Sequence, residues 1–379
     1  MNEVDACPGT AQQSNSGFRA SYQPEQPLPP DARLLLASLQ ASAQELARIS
    51  ATVSDKVAAM ARSPEITLSD VGRLAKNLVP RWHFAMLNDV ERNEALATAV
   101  KRQVRPGDYV LDIGAGSGLL SMLAAKVGAA KVISCESNPL LAEIATQIIA
   151  SHGLSDLVTV IPKPSSQLTI GMDLDRRVDV IMAEIVDCGL IGEGILPTMR
   201  HARQHLLAPG GRLLPRSARV LGSLVMSEAV DGLNRVSDAG GFDVGMVNSV
   251  ATVGHFPVRL RTWPHTLLSE VIELFSFDFD VGPLDDGSSN VRMPVTASGT
   301  AHGIAAWFEM DLGGRVTMRN SPDNVSSHWM QAWIPFGVPF EVIAGGIIEI
   351  DIHWRDDLLW AGPGMSAGFP RSSWNCPAG

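Results

Sequence analysis

Charge is scarce in this chain of 379 residues: Asp, Glu, Lys and Arg together make up 18% of it, and of the 30 basic residues only six are lysines. With a net charge of −10, that balance excludes a nucleic-acid coat and a polybasic membrane binder, and suits a site that receives cations. The four cysteines (Cys7, Cys135, Cys188 and Cys376) include no C-x-x-C pair, so neither a thiolate zinc module nor a disulfide framework is expected, and a reducing cytoplasm is. No apolar run reaches the ~18 residues of a membrane helix. The opening residues Met1-Asn2-Glu3-Val4-Asp5 are acidic and polar where a secretory leader is basic and then apolar. What is present is a hydrophobic content of 45%, enough for two buried cores in a chain too long for one ordinary domain.

Residues 1–30 are rich in Gln, Ser and Pro and cannot offset their own ordering entropy, so a flexible tail is expected. Residues 31–80 read as a helical extension. Leu35, Leu39, Ser42, Leu46, Ile49, Val53 and Met60 form a heptad-like stripe, interrupted by Lys56, that predicts one long helix from Asp31 to Arg62. The stripe is expected to pack on a following helix, Ser69 to Leu78, with a dimer contact as the alternative. Over residues 81–215, the aliphatic runs Tyr109–Ile113, Lys131–Cys135, Val158–Ile161 and Val178–Ala183 alternate with helical patterns, the form of a parallel sheet covered on both faces. Residues 216–379 change character. Phe275-Ser276-Phe277-Asp278-Phe279 and Ile348-Glu349-Ile350-Asp351-Ile352 alternate with period two between turn clusters, which predicts a β-barrel or sandwich.

The first of those runs opens VLDIGAGSGLLS, a buried strand, then Gly114, Gly116 and Gly118 at alternate positions, then a helix. Glycines there let the backbone turn tightly and approach a ligand where a Cβ would collide. The third glycine comes one residue early for the pyrophosphate spacing, and the glycine loop holds no basic residue to meet phosphates. Asp112 stands before the glycines, and Glu136, 24 residues further on, ends the second strand, where a carboxylate can take both hydroxyls of a ribose. An adenosine ligand without phosphates and with a positive charge fits these residues: S-adenosylmethionine.

The fourth run leads into AEIVDCGLIGEG, with Glu184 at the strand end and Glu193 nine residues on. Both acids should face the ligand crevice at the carboxyl ends of the strands. Two desolvated carboxylates repel unless a cation stands between them, and the natural guest is a planar guanidinium with five donors in a fork.

The glycine loop and the glutamate pair together resemble the protein arginine methyltransferases, and most closely the branch whose animal members carry duplicated catalytic modules. The resemblance runs from about Trp82 to Trp360. WHFAMLNDVERN (Trp82 to Asn93) resembles the family's leading helix, AEIVDCGLIGEG its double-glutamate loop, and SHWMQ (Ser327 to Gln331) its Thr-His-Trp loop. It implies a Rossmann-like class I methyltransferase domain followed by a C-terminal β-barrel. It implies that Arg92 pairs with the cofactor's carboxylate and that Met86 lies beside the reacting methyl. Asp112, Gly114 and Gly116 would line the cofactor, Glu136 would hold its ribose, and Ser165 or Ser166 would sit near the adenine. Glu184 and Glu193 would clamp the guanidinium beside Trp329, and His328 with Asp89 matches a pair assigned to proton removal. No metal is expected in this chemistry.

The sequence also departs from the family. Only Tyr22 and Tyr109 are present, so the tyrosine-rich motif ahead of the leading helix is missing, and Ser327 stands for Thr. No insertion after Ser227 is apolar enough to match the dimerisation arm, so the expected homodimer could rest on the N-terminal helices instead. A single module of bacterial-looking composition without a recognisable peptide-binding insertion leads to the expectation of methylation of free L-arginine, giving Nω-methyl-L-arginine in a bacterial biosynthetic pathway, with arginine in peptides or proteins as the alternative. A catalytically silent scaffold would require a lost acid or glycine, and none is lost. His201 and His205, four apart on a helix, lack the third ligand of a zinc site and read as a solvated helix face.

Overall fold

The computed structural model describes residues 30–62, 72 and 78–364. The chain divides into two units, residues 1–73 and 74–379. In the first, the helix α1 runs Pro30–Arg62, and the stripe residues Leu35, Leu39, Leu46, Ile49 and Val53 are all exposed on it. The helix expected over Ser69–Leu78 lies outside the described residues apart from Gly72 and from Leu78, which is in a turn.

The second unit opens with the short helix α2 (Trp82–Leu87) and then α3 (Val90–Gln103). Asp89 caps α3 by accepting the Arg92 backbone N–H at 3.0 Å, satisfying one of the donors a helix start leaves unpaired. Alternating strands and helices follow: β1 (Tyr109–Ile113), α4 (Leu119–Lys126), β2 (Lys131–Cys135), α5 (Pro139–Ser151), β3 (Val158–Ile161), β4 (Val178–Ala183), α6 (Ile195–His205) and β5 (Leu207–Leu214). The five strands form a parallel sheet in the order β3-β2-β1-β4-β5. Every residue of β1 is buried, as a strand covered on both faces requires. From β1 the chain winds first to β2 and β3, then returns to the other side of β1 as β4. The carboxyl ends of β1 and β4 therefore diverge into a crevice, the position where doubly wound sheets bind ligands.

From β6 (Ser217–Met226) onward the strands are antiparallel. After the helical turn α7 (Glu228–Asp231) come β7 (Asp238–Ala239), β8 (Phe242–Asp243), β9 (Phe256–Val258), β10 (Thr266–Leu267), β11 (Ile272–Asp278), β12 (Gly287–Pro294) and β13 (Gly299–Gly313). Four more complete the chain: β14 (Val316–Arg319), β15 (Gln331–Val342), β16 (Ile347–Arg355) and β17 (Leu358–Pro363). One sheet has the order β10-β6-β13-β15-β9, with β11 also on β6 and β14 on β13, and a second has β12-β16-β17. The period-two segments behave as the pattern requires: Phe275, Phe277, Ile350 and Ile352 point into the core, while Ser276 and Asp278 face out.

Between β6 and β9 the chain forms α7, the β7–β8 hairpin and a 3-10 segment, Gly245–Val250. Leu233, Phe242, Met246, Val247, Val250 and Val253 are exposed there. Asp and Gly residues interleave with these side chains and break any helical or strand periodicity, which is why the pattern does not stand out in the sequence.

Candidate active site

A cavity of about 530 Å³ opens at the carboxyl ends of β1 and β4, within the size range of small-molecule sites. Gly114, Gly116, Glu136, Glu184, Glu193, Met86, Arg92, His328 and Trp329 all line it, so residues scattered over more than 240 positions meet at one place. Gly114 has φ +80°, and a Cβ there would sit 2.6 Å from Ile185 Cγ2, so the turn needs glycine on both counts. Glu136 braces the turn as well as lining the cavity: its Oε2 accepts the Gly116 N–H at 2.9 Å and its Oε1 the Asn138 N–H at 2.8 Å.

Glu184 is buried at the end of β4, and burial raises its pKa against the opposing charge and hydrogen bond of Arg92. Arg92 Nη2 donates directly to Glu184 Oε2, and Arg92 Nη1 to Asn93 Oδ1. Arg92 thus supplies the cation that a buried carboxylate demands. Glu193 has no such partner. Glu193 is itself exposed at the cavity wall; partial desolvation of its carboxyl first, then the charges of Glu184 and Asp187, push its pKa to about 7, with Arg92 opposing.

Asp89 serves two elements. Besides capping α3 it accepts the His328 backbone N–H at 2.8 Å and meets His328 Nδ1 at 2.9 Å. Burial works against the Asp89 carboxylate, but these donors outweigh it and hold its pKa below the ordinary value. With Nδ1 facing a carboxylate, Nε2 is the basic nitrogen of His328. Burial lowers the His328 pKa, Arg92 and Arg259 add to that, and Asp89 opposes, so the ring is neutral near pH 7. Trp329 stacks beside it at 3.9 Å between ring centres and donates Nε1 to the Val186 carbonyl, tying this loop to the segment after Glu184.

Four expected site residues lie off the cavity wall: Asp89, which reaches it only through His328, and Asp112, Ser165 and Ser166. Asp112 is fully buried behind the glycine turn, where Ser121 Oγ donates to it at 2.7 Å; burial raises its pKa to about 6, and its Oδ1 has no hydrogen-bond partner. Ser165 is buried and Ser166 exposed in a 3-10 turn after β3. His201 and His205 stack on α6 with ring centres 4.8 Å apart.

Sequence reasoning missed other lining residues, among them His83, Asn138 and Asp187. It also missed Asn320, fully buried, which accepts the Phe308 N–H and donates to the Cys188 and Met330 carbonyls. Asn320 sits in Asn-Ser-Pro-Asp-Asn, which reads only as a turn. Asp187, Cys188 and His255 have ligand atoms within 4.8 Å of one another. Two backbone N–H groups and the His255 ring already engage Asp187, so the trio is a satisfied hydrogen-bond network.

The parallel sheet, its glycine turn and the appended antiparallel sheets define a class I methyltransferase with a β-barrel domain. Residues 95–213 match the family described as ribosomal protein L11 methyltransferase, and residues 228–357 the arginine methyltransferase oligomerization subdomain. An arginine N(omega)-methyltransferase of Streptomyces achromogenes subsp. streptozoticus is 51% identical over 327 residues, 86% of this chain and 91% of that protein. Protein arginine N-methyltransferase 7 of Aedes aegypti is 34% identical over 64% of this chain and 39% of its own length, and protein arginine N-methyltransferase 9 of Homo sapiens 30% identical over 69% and 35%. The chain therefore spans little more than a third of these two longer relatives. Among solved structures, the Trypanosoma brucei PRMT1 enzyme-prozyme heterotetrameric complex with AdoHcy superposes with a TM-score of 0.63 over 72% of this chain and 86% of that one, at 24% identity, and shares its fold. This chain belongs to the protein arginine methyltransferase family, and is an S-adenosylmethionine-dependent arginine N-methyltransferase.

The raised pKa of Glu193 carries a sign that stability measurements can read. A carboxyl whose folded pKa lies near 7 and whose unfolded value is ordinary favours the folded state while protonated, and that contribution is lost as pH rises through about 7. Glu193→Gln therefore gains stability relative to the parent between pH 5 and pH 8, by an amount that solvent screening of this exposed residue keeps small. Denaturant unfolding of both proteins at the two pH values checks this; a difference that does not change with pH contradicts it.

Proposed function

We propose that this enzyme transfers a methyl group to a terminal nitrogen of free L-arginine, giving Nω-methyl-L-arginine, in the cytoplasm of its cell. The observation that carries the reading is the pairing of Glu184 and Glu193 in one cavity with the glycine turn and Glu136. The 51% identity to a bacterial arginine N(omega)-methyltransferase, over nearly the whole of that protein, supports a free amino acid over a protein substrate. Cys135 and Cys188, unpaired and buried, suit a reducing compartment.

The cavity fits S-adenosylmethionine: a turn closed to a Cβ at Gly114, a carboxylate at the end of β2 for the ribose, and no basic side chain in the glycine loop. Gly114, Gly116 and Glu136 would hold it, with Met86 against its methyl and Arg92 near its carboxylate. When bound it supplies a methyl carried on a sulfonium. The protein's part is then to make a poor nucleophile competent. A guanidinium stays protonated up to a pKa above ~12 and delocalises its lone pairs. Glu184 and Glu193, each accepting from one nitrogen, draw the positive charge toward themselves and leave the third nitrogen richer in electrons. Holding it at attack distance can supply ~7–11 kcal/mol of the barrier. His328 Nε2, backed by Asp89, is the acceptor for the proton that must leave.

Arg259 is the candidate for reading the α-carboxylate. It is half-buried two residues past the cavity-lining Pro257, and its guanidinium reaches only the Ser327 and His328 carbonyls, at 3.4 Å. For the assembly, the exposed apolar residues between β6 and β9 are the proposed contact of a homodimer, in line with the oligomerization subdomain that the segment matches.

Three outcomes test this reading. Mass spectrometry after incubation with S-adenosylmethionine and either L-arginine or an Arg/Gly-rich peptide should find the methyl on the amino acid, and Glu184→Gln should keep cofactor binding while losing turnover by at least ~10²-fold. Methyl transfer to the peptide alone would reverse the substrate assignment. Arg259→Ala should raise the KM for L-arginine by ~10-fold or more and leave that for agmatine, which has no carboxylate, unchanged; an equal effect on both removes Arg259 from recognition. Val247→Asp with Val250→Asp should convert a dimer to monomer in sedimentation velocity without lowering Tm, whereas an unchanged sedimentation profile would place the contact elsewhere.

A further inference from the structure

The segment joining Glu184 to Glu193 is held in a costly shape. Leu190, fully buried, has φ +79°, a left-handed conformation that costs a non-glycine residue ~1–2 kcal/mol. Such strain persists only where the surroundings over-determine it. Here the surroundings converge on Asp187. Its Oδ1 accepts the Gly189 N–H at 3.1 Å and the Gly192 N–H at 2.8 Å, so one oxygen spans the loop to the residue immediately before Glu193. Its Oδ2 meets His255 Nε2 at 2.5 Å.

His255 belongs to the other domain, and its placement is rigid. Gly254, at φ +85°, packs its backbone against β17, where a Cβ would lie 3.2 Å from the Leu359 carbonyl oxygen. Directly after His255, β9 pairs with β15, Phe256 opposite Trp333. The loop in turn is cut to fit the pair. A Cβ on Gly189 would lie 2.6 Å from His255 Nε2, and one on Gly192 2.4 Å from Asp187 Oδ2. Burial opposes the Asp187 charge, but His255 and the two backbone donors hold its pKa below the ordinary value, so the carboxylate stays ionised as the pair requires.

We propose that Asp187 and His255 are a positioning pair that fixes the spacing of Glu184 and Glu193, and thereby the grip on the substrate guanidinium, from the antiparallel domain. The inference rests on the reading that Glu193 binds that guanidinium. Neither residue is assigned contact with the reacting atoms; the pair acts through the loop.

The test uses full-length protein saturated with S-adenosylhomocysteine, titrated with L-arginine by calorimetry, together with kcat and KM for both substrates. His255→Ala should weaken L-arginine binding and lower kcat by ~10-fold or more, since small misplacements of reacting groups carry penalties of that order. Its KM for S-adenosylmethionine should stay within about twofold of the parent's, because the glycine turn and Glu136 are braced independently. His255→Gln, whose amide N–H can reach the same oxygen, should recover most of the loss. Gly189→Ala, which displaces the ring without removing it, should reproduce the loss if His255→Ala fails to fold. Parent-like arginine affinity and kcat in His255→Ala, or a loss shared by both substrates that Gln does not recover, overturns the pair. Glu193→Gln separates the two ideas: if it binds L-arginine as the parent does, the clamp reading fails, and if it loses binding while His255→Ala does not, only the pair fails.

Discussion

Two carboxylates line one cavity, Glu184 with a buried side chain and Glu193 exposed, and the rest of the site is organised by what their proximity costs. Removing an ion from water carries a penalty of several kcal/mol unless an opposite charge and hydrogen bonds replace the solvent. Glu184 meets the requirement with Arg92, delivered from the first turn of α3. Glu193 is exposed and has no cation paired with it, and partial desolvation with the nearby charges of Glu184 and Asp187 raises its pKa to about 7. The cavity is therefore ready for one further cation. Asp89 then determines the geometry around it: by capping α3 it orients the helix that carries Arg92, and by holding His328 it presents a neutral base at the same wall.

No single domain could assemble this. The parallel sheet delivers the glycine turn, Glu136 and Glu184 on the carboxyl ends of its strands, while His328, Trp329 and His255 come from the antiparallel part. Side chains bridge the two. Asn320 bonds the backbone of Cys188 and Met330, Trp329 bonds the Val186 carbonyl, and Asp187 bonds His255. All three bridges end on the loop between the glutamates. A loop with glycines and a strained leucine would wander if left to itself; fixed at three points from a second domain, it can place a carboxylate accurately.

What the sequence revealed and what it hid follow the range of the interactions. The four aliphatic runs coincide with β1 to β4; β1, β2 and β4 are buried on both faces and so are written locally in consecutive apolar residues, while β3 is a partly exposed edge strand. The glycine turn and the glutamate pair are equally local patterns, and the cavity brings them together. Asn320 and His255 carry no local signal, since each matters through a partner 68 or more positions away. The exposed unit between β6 and β9 was hidden for another reason. Its apolar residues sit on short pieces with different conformations, so no single period relates them. Asp112 lies behind the turn, where Ser121 and Ser134 hydrogen-bond to it on the buried side.

The same electrostatics accounts for selecting arginine over lysine on the proposed reading. A lysine ammonium would satisfy the charge of two carboxylates just as well, yet its one nitrogen would be both the anchor and the only possible nucleophile. With its protons committed to Glu184 and Glu193, it would have no lone pair to offer. A guanidinium has three nitrogens in one plane, and its fork lets two be held while a terminal one remains outside the grip. Holding the cation and activating it are then a single act, because charge drawn toward the carboxylates leaves electron density on the nitrogen they do not touch. A base of modest strength such as His328 suffices for the proton, since methylation itself makes that proton acidic. The neighbouring negative charges of Glu184 and Glu193 thus make the flat, permanently charged guest the one that restores the balance.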